Sequence, residues 1–176
     1  DAFVTRLDPF VSGEVVWGSY FNREGSLADG ANSVATRGTR VFVAGYTTTT
    51  AGGRAFSVRV YNTGNGTLLW QNHFDRQGSL TDEANSVVVS PDSSKVFAAG
   101  YTRTSAGGYA FSVRAYNCTN GVLLWQNYFD RQGSLADVAY RVAVSPDSSK
   151  VFVAGYTSTS AGDFAFSVRA HNATNG

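Results

Sequence analysis

Four arginines, Arg6, Arg59, Arg114 and Arg169, recur at matching places along the 176-residue chain, and acidic residues recur with them, Asp75 and Asp130 in one series and Asp29, Asp82 and Asp137 in another. Arginine and carboxylate at a repeated spacing have two chemical uses: a bidentate ion pair that satisfies a buried guanidinium, or a ring of sites for an acidic ligand. Catalysis needs an acid unlike its base and a nucleophile unlike its orienter. These carboxylates recur in one form, so the expectation is a structural pair, Arg114 with Asp130 or Asp137, copied along the chain. Other chemistry is sparse. His73 and His171 stand in different repeat positions and lack the spacing of metal ligands. Cys118 is the single cysteine, which excludes an internal disulfide, and it reads as a turn residue. No nucleophile elbow, phosphate loop or calcium loop is present. The expectation is therefore no catalytic residue, no metal site and no cofactor.

Two further sets could meet a ligand or carry a modification. Asn65, Asn117 and Asn172 each open an Asn-x-Thr sequon, an acceptor for an N-linked glycan in a secreted protein; the competing reading is that asparagine is there for turn geometry. Tyr46, Tyr101 and Tyr156 recur beside Thr/Gly-rich loops, where a sugar-binding protein would place one shallow site per repeat.

All of these residues are spaced from one stretch, Ala115-Tyr116-Asn117-Cys118-Thr119-Asn120-Gly121-Val122-Leu123-Leu124-Trp125, whose variants end at Trp70 and Trp17, an interval of 53 to 55 residues. Residues 71–121 and 126–176 are identical at 39 of 51 positions. The period-two alternation of Phe111, Val113 and Ala115 with Ser112, Arg114 and Tyr116 is that of a pleated strand. Val151-Phe152-Val153-Ala154-Gly155-Tyr156 is apolar throughout, as in a sheet covered on both faces. Between these lie turn signals such as Ser145-Pro146-Asp147-Ser148-Ser149. The pattern predicts strands over 2–7, 14–21, 31–36, 41–47, 55–62, 67–74, 84–90, 95–102, 109–117, 122–129, 139–145, 150–157 and 164–171, with no helix.

Four-stranded antiparallel units at this period are blades of a β-propeller. The expected organisation is one repeat domain over 1–176: a partial blade over 1–21 holding only its last two strands, full blades over 22–74 and 75–129, and a blade over 130–176 lacking its last strand. About three repeats cannot close a ring of the usual four to eight blades, so the all-β fold is expected to be open.

The pattern Ala115-x-Asn117-x-x-x-Gly121-x-x-x-Trp125 resembles the tryptophan-docking motif of the quinoprotein (PQQ-like) propellers, with Asn where that family more often has Asp. The run Val87 to Phe97 is similar to the YVTN-type repeats of prokaryotic surface-protein propellers, whose turn usually has glycine at the place of Ser93. The first resemblance implies that Trp17, Trp70 and Trp125 dock on a glycine-containing segment of the adjacent blade. Both repeat types host enzymes, binders and scaffolds, so the resemblance implies fold and leaves activity open.

Net charge is +1 and no basic run exceeds two residues, which argues against nucleic acid as a partner; no apolar run is long enough to span a bilayer as a helix. The chain has no methionine, so Asp1 is expected to follow a processing step or to lie inside a longer parent, and a removed signal peptide fits an extracellular or cell-surface location. Unpaired strands at both ends imply that copies of the chain are its partners, through head-to-tail strand exchange into a ring or filament. The expected function is non-catalytic, structural and self-assembling. The rivals are a carbohydrate- or protein-binding propeller, and a piece of a larger quinoprotein-like oxidoreductase.

Overall fold

The computed structural model describes residues 2–7, 14–22, 27–76, 80–131 and 135–176, with the side chains of Phe3, Arg6 and Leu7 outside the described set. Its strands are β1 (Ala2–Leu7), β2 (Val15–Phe21), β3 (Gly30–Arg37), β4 (Arg40–Thr48), β5 (Arg54–Asn62), β6 (Leu68–Phe74), β7 (Glu83–Val89), β8 (Lys95–Arg103), β9 (Tyr109–Asn117), β10 (Leu123–Phe129), β11 (Val138–Val144), β12 (Lys150–Ser158) and β13 (Phe164–Asn172). Every boundary falls within one residue of the sequence expectation. The strands form four sheets of neighbours in sequence order: β1-β2, β3 to β6, β7 to β10 and β11 to β13. All pairings within sheets are antiparallel. The result is an open propeller of two full blades flanked by a two-stranded and a three-stranded one.

The core lies in the seams between sheets. Phe42, Phe56, Val58, Val60 and Trp70 of the first full blade pack against Val87, Val96, Ala98 and Tyr116 of the second. Phe97, Phe111, Val113 and Trp125 of the second meet Val151, Val153 and Ala173 of the last. The continuous apolar runs of β4 and β8 follow from this, because both of their faces meet a neighbouring strand or blade.

Each innermost strand carries a bulge at Asn32, Asn85 or Tyr140, where the register to the next strand skips one residue. Glycine is required opposite. A Cβ on Gly45, Gly100 or Gly155 would lie 1.9 Å from the carbonyl oxygen of Gly30, Glu83 or Val138, so only glycine lets the bulged backbone come this close. The bulge turns the two asparagines outward to the next blade: Asn32 Nδ2 donates to the Ala84 carbonyl at 3.0 Å and Asn85 Nδ2 to that of Ala139 at 2.8 Å.

The hairpin turn between β7 and β8 is held by its own side chains. Asp92 accepts from the Ser90 hydroxyl and from the Ser94 N–H, and these bonds hold its carboxyl at about 2. Ser93 takes φ 60° at the place where the YVTN-type repeat has glycine, and Ser148 takes φ 61°. Their hydroxyls reach the preceding blade: Ser93 Oγ accepts from Arg37 Nε at 3.1 Å, and Ser148 Oγ from the Asp92 N–H at 3.2 Å.

Candidate functional site

The recurring residues build the seams. Trp17, Trp70 and Trp125 are buried, and each indole N–H reaches the next blade, donating to the carbonyls of Thr63 (2.8 Å), Cys118 (3.1 Å) and Ala173 (3.1 Å). The ring lies flat on a turn glycine. A Cβ on Gly66 would sit 2.6 Å from Trp17 Cε3, and one on Gly121 would sit 2.5 Å from Trp70 Cε3. These glycines also have positive φ, 72° and 73°, so both the backbone and the docked ring demand glycine.

The arginines differ from the expected ion pair. Arg59 Nε donates to the Tyr61 hydroxyl at 2.7 Å and its Nη1 to Gln71 Oε1; Arg114 donates to the hydroxyls of Tyr116 and Tyr128, each at 2.8 Å. Each guanidinium lies over a phenylalanine of the preceding blade: Arg59 over Phe21 at 3.5 Å, Arg114 over Phe74 at 3.8 Å and Arg169 over Phe129 at 3.2 Å. A weakly hydrated planar cation is stabilised by a ring face and by neutral phenol oxygens, without the cost of bringing a carboxylate into the seam. Burial pushes the Tyr116 phenol up to about 12, which keeps it neutral. The signal in the sequence was the tyrosine two residues after Arg59 and after Arg114, on the same face of its strand.

Arg6, whose side chain lies outside the described residues, does not share the place of the other arginines. Its backbone pairs with Trp17, whereas Arg59 and Arg114 pair with Gln71 and Gln126 and leave Val60 and Ala115 opposite Trp70 and Trp125. Thr5 takes the matching place, because the link between β1 and β2 is one residue longer in register than its counterparts.

The expected acids act as backbone latches. Asp137 accepts from the N–H of Arg131 (2.6 Å) and Ser158 (2.9 Å), Asp82 from those of Arg76 (2.6 Å) and Arg103 (2.8 Å), and Asp29 from that of Thr48 (2.7 Å). They tie the connection between blades to the end of the second strand. Asp75 and Asp130 directly follow β6 and β10 and have contacts of their own. In the sequons, Asn65, Asn117 and Asn172 each accept a backbone N–H two residues on, the bond of an Asx turn. Asn65 and Asn172 are exposed and Asn117 is half-buried.

One cluster escaped the sequence reading because it breaks the repeat. Glu83 accepts from Asn32 Nδ2 (2.8 Å), Arg54 Nη1 (3.0 Å) and the Tyr101 hydroxyl (2.9 Å), and Arg54 lies 3.9 Å over the Tyr46 ring. Burial, with Glu83 adding to it, raises the Tyr101 phenol above its ordinary range. Tyr156 lies between Tyr140 and Phe164. All three rings proposed as sugar platforms are engaged by neighbours within the chain. Among the described residues no group of three His, Cys, Asp or Glu could hold a metal ion, and no helix is long and apolar enough to cross a membrane.

The two ends are open. The last blade exposes Phe152 (40%), Phe166 (86%) and Val168 (57%), whose equivalents Phe42, Phe56 and Val58 in the first full blade are 0% exposed. At the other end, cavities of about 300 and 520 Å³ lie between β1 and the first full blade, both lined by Val4, Thr5 and Val34. They fall where a complete blade would hold its first two strands.

These seams define a propeller-type repeat protein. BamB from Moraxella catarrhalis, a PQQ-like propeller, aligns over 92% of this chain with a TM-score of 0.50 at 13% identity. Proteins assigned as 6-phosphogluconolactonases align more loosely: that from Bacteroides uniformis over 86% (TM-score 0.45, 12% identity), that from Bacteroides fragilis over 78% (0.41, 13%). The chain spans 38%, 45% and 37% of those three proteins. No family model matches the sequence, and no curated protein matches it. At such identities the likeness is one of fold.

Proposed function

We propose that the chain is a non-catalytic, surface-displayed or secreted propeller module that assembles head to tail with copies of itself. The observation that carries this reading is the bare face of the last blade, where the residues that are buried in the inner seams meet solvent. An apolar face bordered by a free strand edge at β13 recruits strands. The occupant that fits is the β2 strand of a second copy, with β13 taking the place of β1 beside it; Trp17 of that β2 is already docked on the next blade of its copy. The link is heterologous, so it closes a ring or grows a filament according to its rotation. The use of the repeated carboxylates as backbone latches supports a structural role. Sequons on turns at the blade rim support a glycosylated extracellular location.

Sedimentation of the intact native protein tests this. The expected result is concentration-dependent assembly, lost on Phe166→Asp, a change at an exposed residue that leaves the fold intact. A monomer at all concentrations up to about 100 times a micromolar affinity overturns the reading. A second reading is favoured by the coverage of 38% of the BamB chain: further blades of a longer chain cover the same face. The mass of the native polypeptide then exceeds 18.8 kDa and the particle is monomeric.

A further inference from the structure

We propose that a residue match at the propeller rim dictates which blade follows which, and that at the junction between copies the matching pair is Phe164 of one chain on Gly30 of the next. The inference rests on the assembly reading above and names its contact.

Both complete seams bring the start of one blade's third strand against the start of the following blade's first strand. The backbone geometry is the same at both complete seams: the Asp82 N–H donates to the Arg54 carbonyl at 2.7 Å and the Asp137 N–H to the Tyr109 carbonyl at 2.8 Å. Isolated parallel bridges join Arg54 to Thr81 and Tyr109 to Ala136. The side chains differ. At the first seam the pair is ionic, Arg54 with Glu83 at 3.0 Å, and Glu83 has only 12% of its side chain exposed. At the second seam the places are taken by Tyr109 and Val138, and Val138 is buried. Two residues of this series remain: Phe164, 68% exposed on the last blade, and Gly30 at the head of the first full one.

The ionic pair excludes the others from its seam: Tyr109 or Phe164 set against Glu83, whose side chain is 12% exposed, would leave a nearly buried carboxylate without its cation. Gly30 has no side chain to oppose an incoming ring. The Tyr46 ring fills that space instead, since a Cβ on Gly30 would fall 2.5 Å from Tyr46 Cε1. A large apolar ring therefore meets a backbone and a tyrosine, a contact denied at the Glu83 seam. Stretches 71–121 and 126–176 are identical at 39 of 51 positions, which leaves few differences by which one neighbour is told from another.

Sedimentation equilibrium of the full chain tests the pair with a charge exchange. Phe164→Arg is expected to weaken assembly about tenfold or more, and adding Gly30→Glu in the same chain is expected to bring it back within about threefold by rebuilding the ionic pair of the first seam. The rebuilt assembly should then weaken about tenfold in about 0.5 M salt while the wild type does not. The Tyr101–Glu83 contact shows that the neighbouring tyrosine accommodates a glutamate here. Should Gly30→Glu fail to fold, Phe164→Tyr set against Phe164→Arg decides: the ring keeps assembly and the cation loses it. Assembly indifferent to Phe164→Arg, or not rescued by a folded double variant, overturns the rim match while leaving self-assembly standing. A wild-type chain that never associates overturns the assembly reading itself.

Discussion

The second full blade and the last blade are written in almost the same residues, yet Phe111 and Val113 are 1% exposed in one while Phe166 and Val168 are 86% and 57% exposed in the other. Their strands begin and end alike, their serine-capped turns match and their arginines lie on the same phenylalanine position. Local structure is thus set within the repeat, whereas burial is conferred by the neighbour. That is the energetics of a quasi-one-dimensional array, in which intrinsic terms are similar and the interface terms decide. Phe111→Ala should therefore cost about 3 to 5 kcal/mol in urea unfolding, the usual range for an aromatic deleted from a core. Phe166→Ala should change the dissociated chain by under about 0.5 kcal/mol. Equal costs at the two sites would break the comparison.

The sequence displayed the strands because alternation and turn chemistry are local, and it displayed the tryptophan docks because Trp and Gly recur at a fixed spacing. It hid the partners of the arginines. Charge complementarity suggested Asp130 and Asp137, but a guanidinium in a seam is held as well by Phe74, Tyr116 and Tyr128, and nothing in residue type alone ranks a ring above a carboxylate. Arg6 was misplaced for a related reason: matching letters at a matching spacing conceals a one-residue difference in register. The Glu83 cluster lay outside any argument from repetition, since Gly30, Glu83 and Val138 share a position and nothing else.

A second test sets the inside of a blade against its rim. Burial lifts the Asp82 carboxyl to about 6, against the N–H groups of Arg76 and Arg103, which pull it down. A carboxyl raised in the folded state binds its proton more tightly there than in the unfolded chain. Its contribution is greatest below the ordinary value of 3.8 and declines as pH rises through about 6. Between about pH 4 and pH 7 this group should cost about 2 kcal/mol, allowing for solvent screening. Asp147 on the exposed turn has the opposite sign. The Ser145 hydroxyl and the Ser149 N–H hold it at about 2, so its contribution is present above the ordinary carboxylate range and is lost as pH falls toward 2. Melting curves across that range should flatten between pH 4 and 7 in Asp82→Asn and only below pH 4 in Asp147→Asn. The reverse assignment would contradict the latch.

The finest difference between the two blades is one ring. Tyr61 and Tyr116 accept from Arg59 Nε and Arg114 Nε, but the last blade has His171 at this place, stacked on Trp125. There Arg169 Nε and His171 Nε2 are both buried without a hydrogen-bond partner. The imidazole is shorter than the phenol and cannot present an oxygen to the guanidinium. Burial lowers the His171 pKa below its ordinary 6.5, with the Gly176 carbonyl opposing and Arg169 adding to the shift. The neutral ring is thus the form the fold accepts, and its contribution, present above pH 6.5, is lost as pH falls below it. His171→Tyr should restore the bond of the other blades and stabilise the chain by about 1 kcal/mol at neutral pH. The gain should widen on acidification, because the wild type must then charge an imidazole beside Arg169 while the variant has nothing to titrate. Denaturant midpoints of both proteins at about pH 8 and about pH 5 measure it. A variant less stable than wild type, or a gap that does not grow at the lower pH, would show that the last blade meets its arginine in some other way than its two predecessors do.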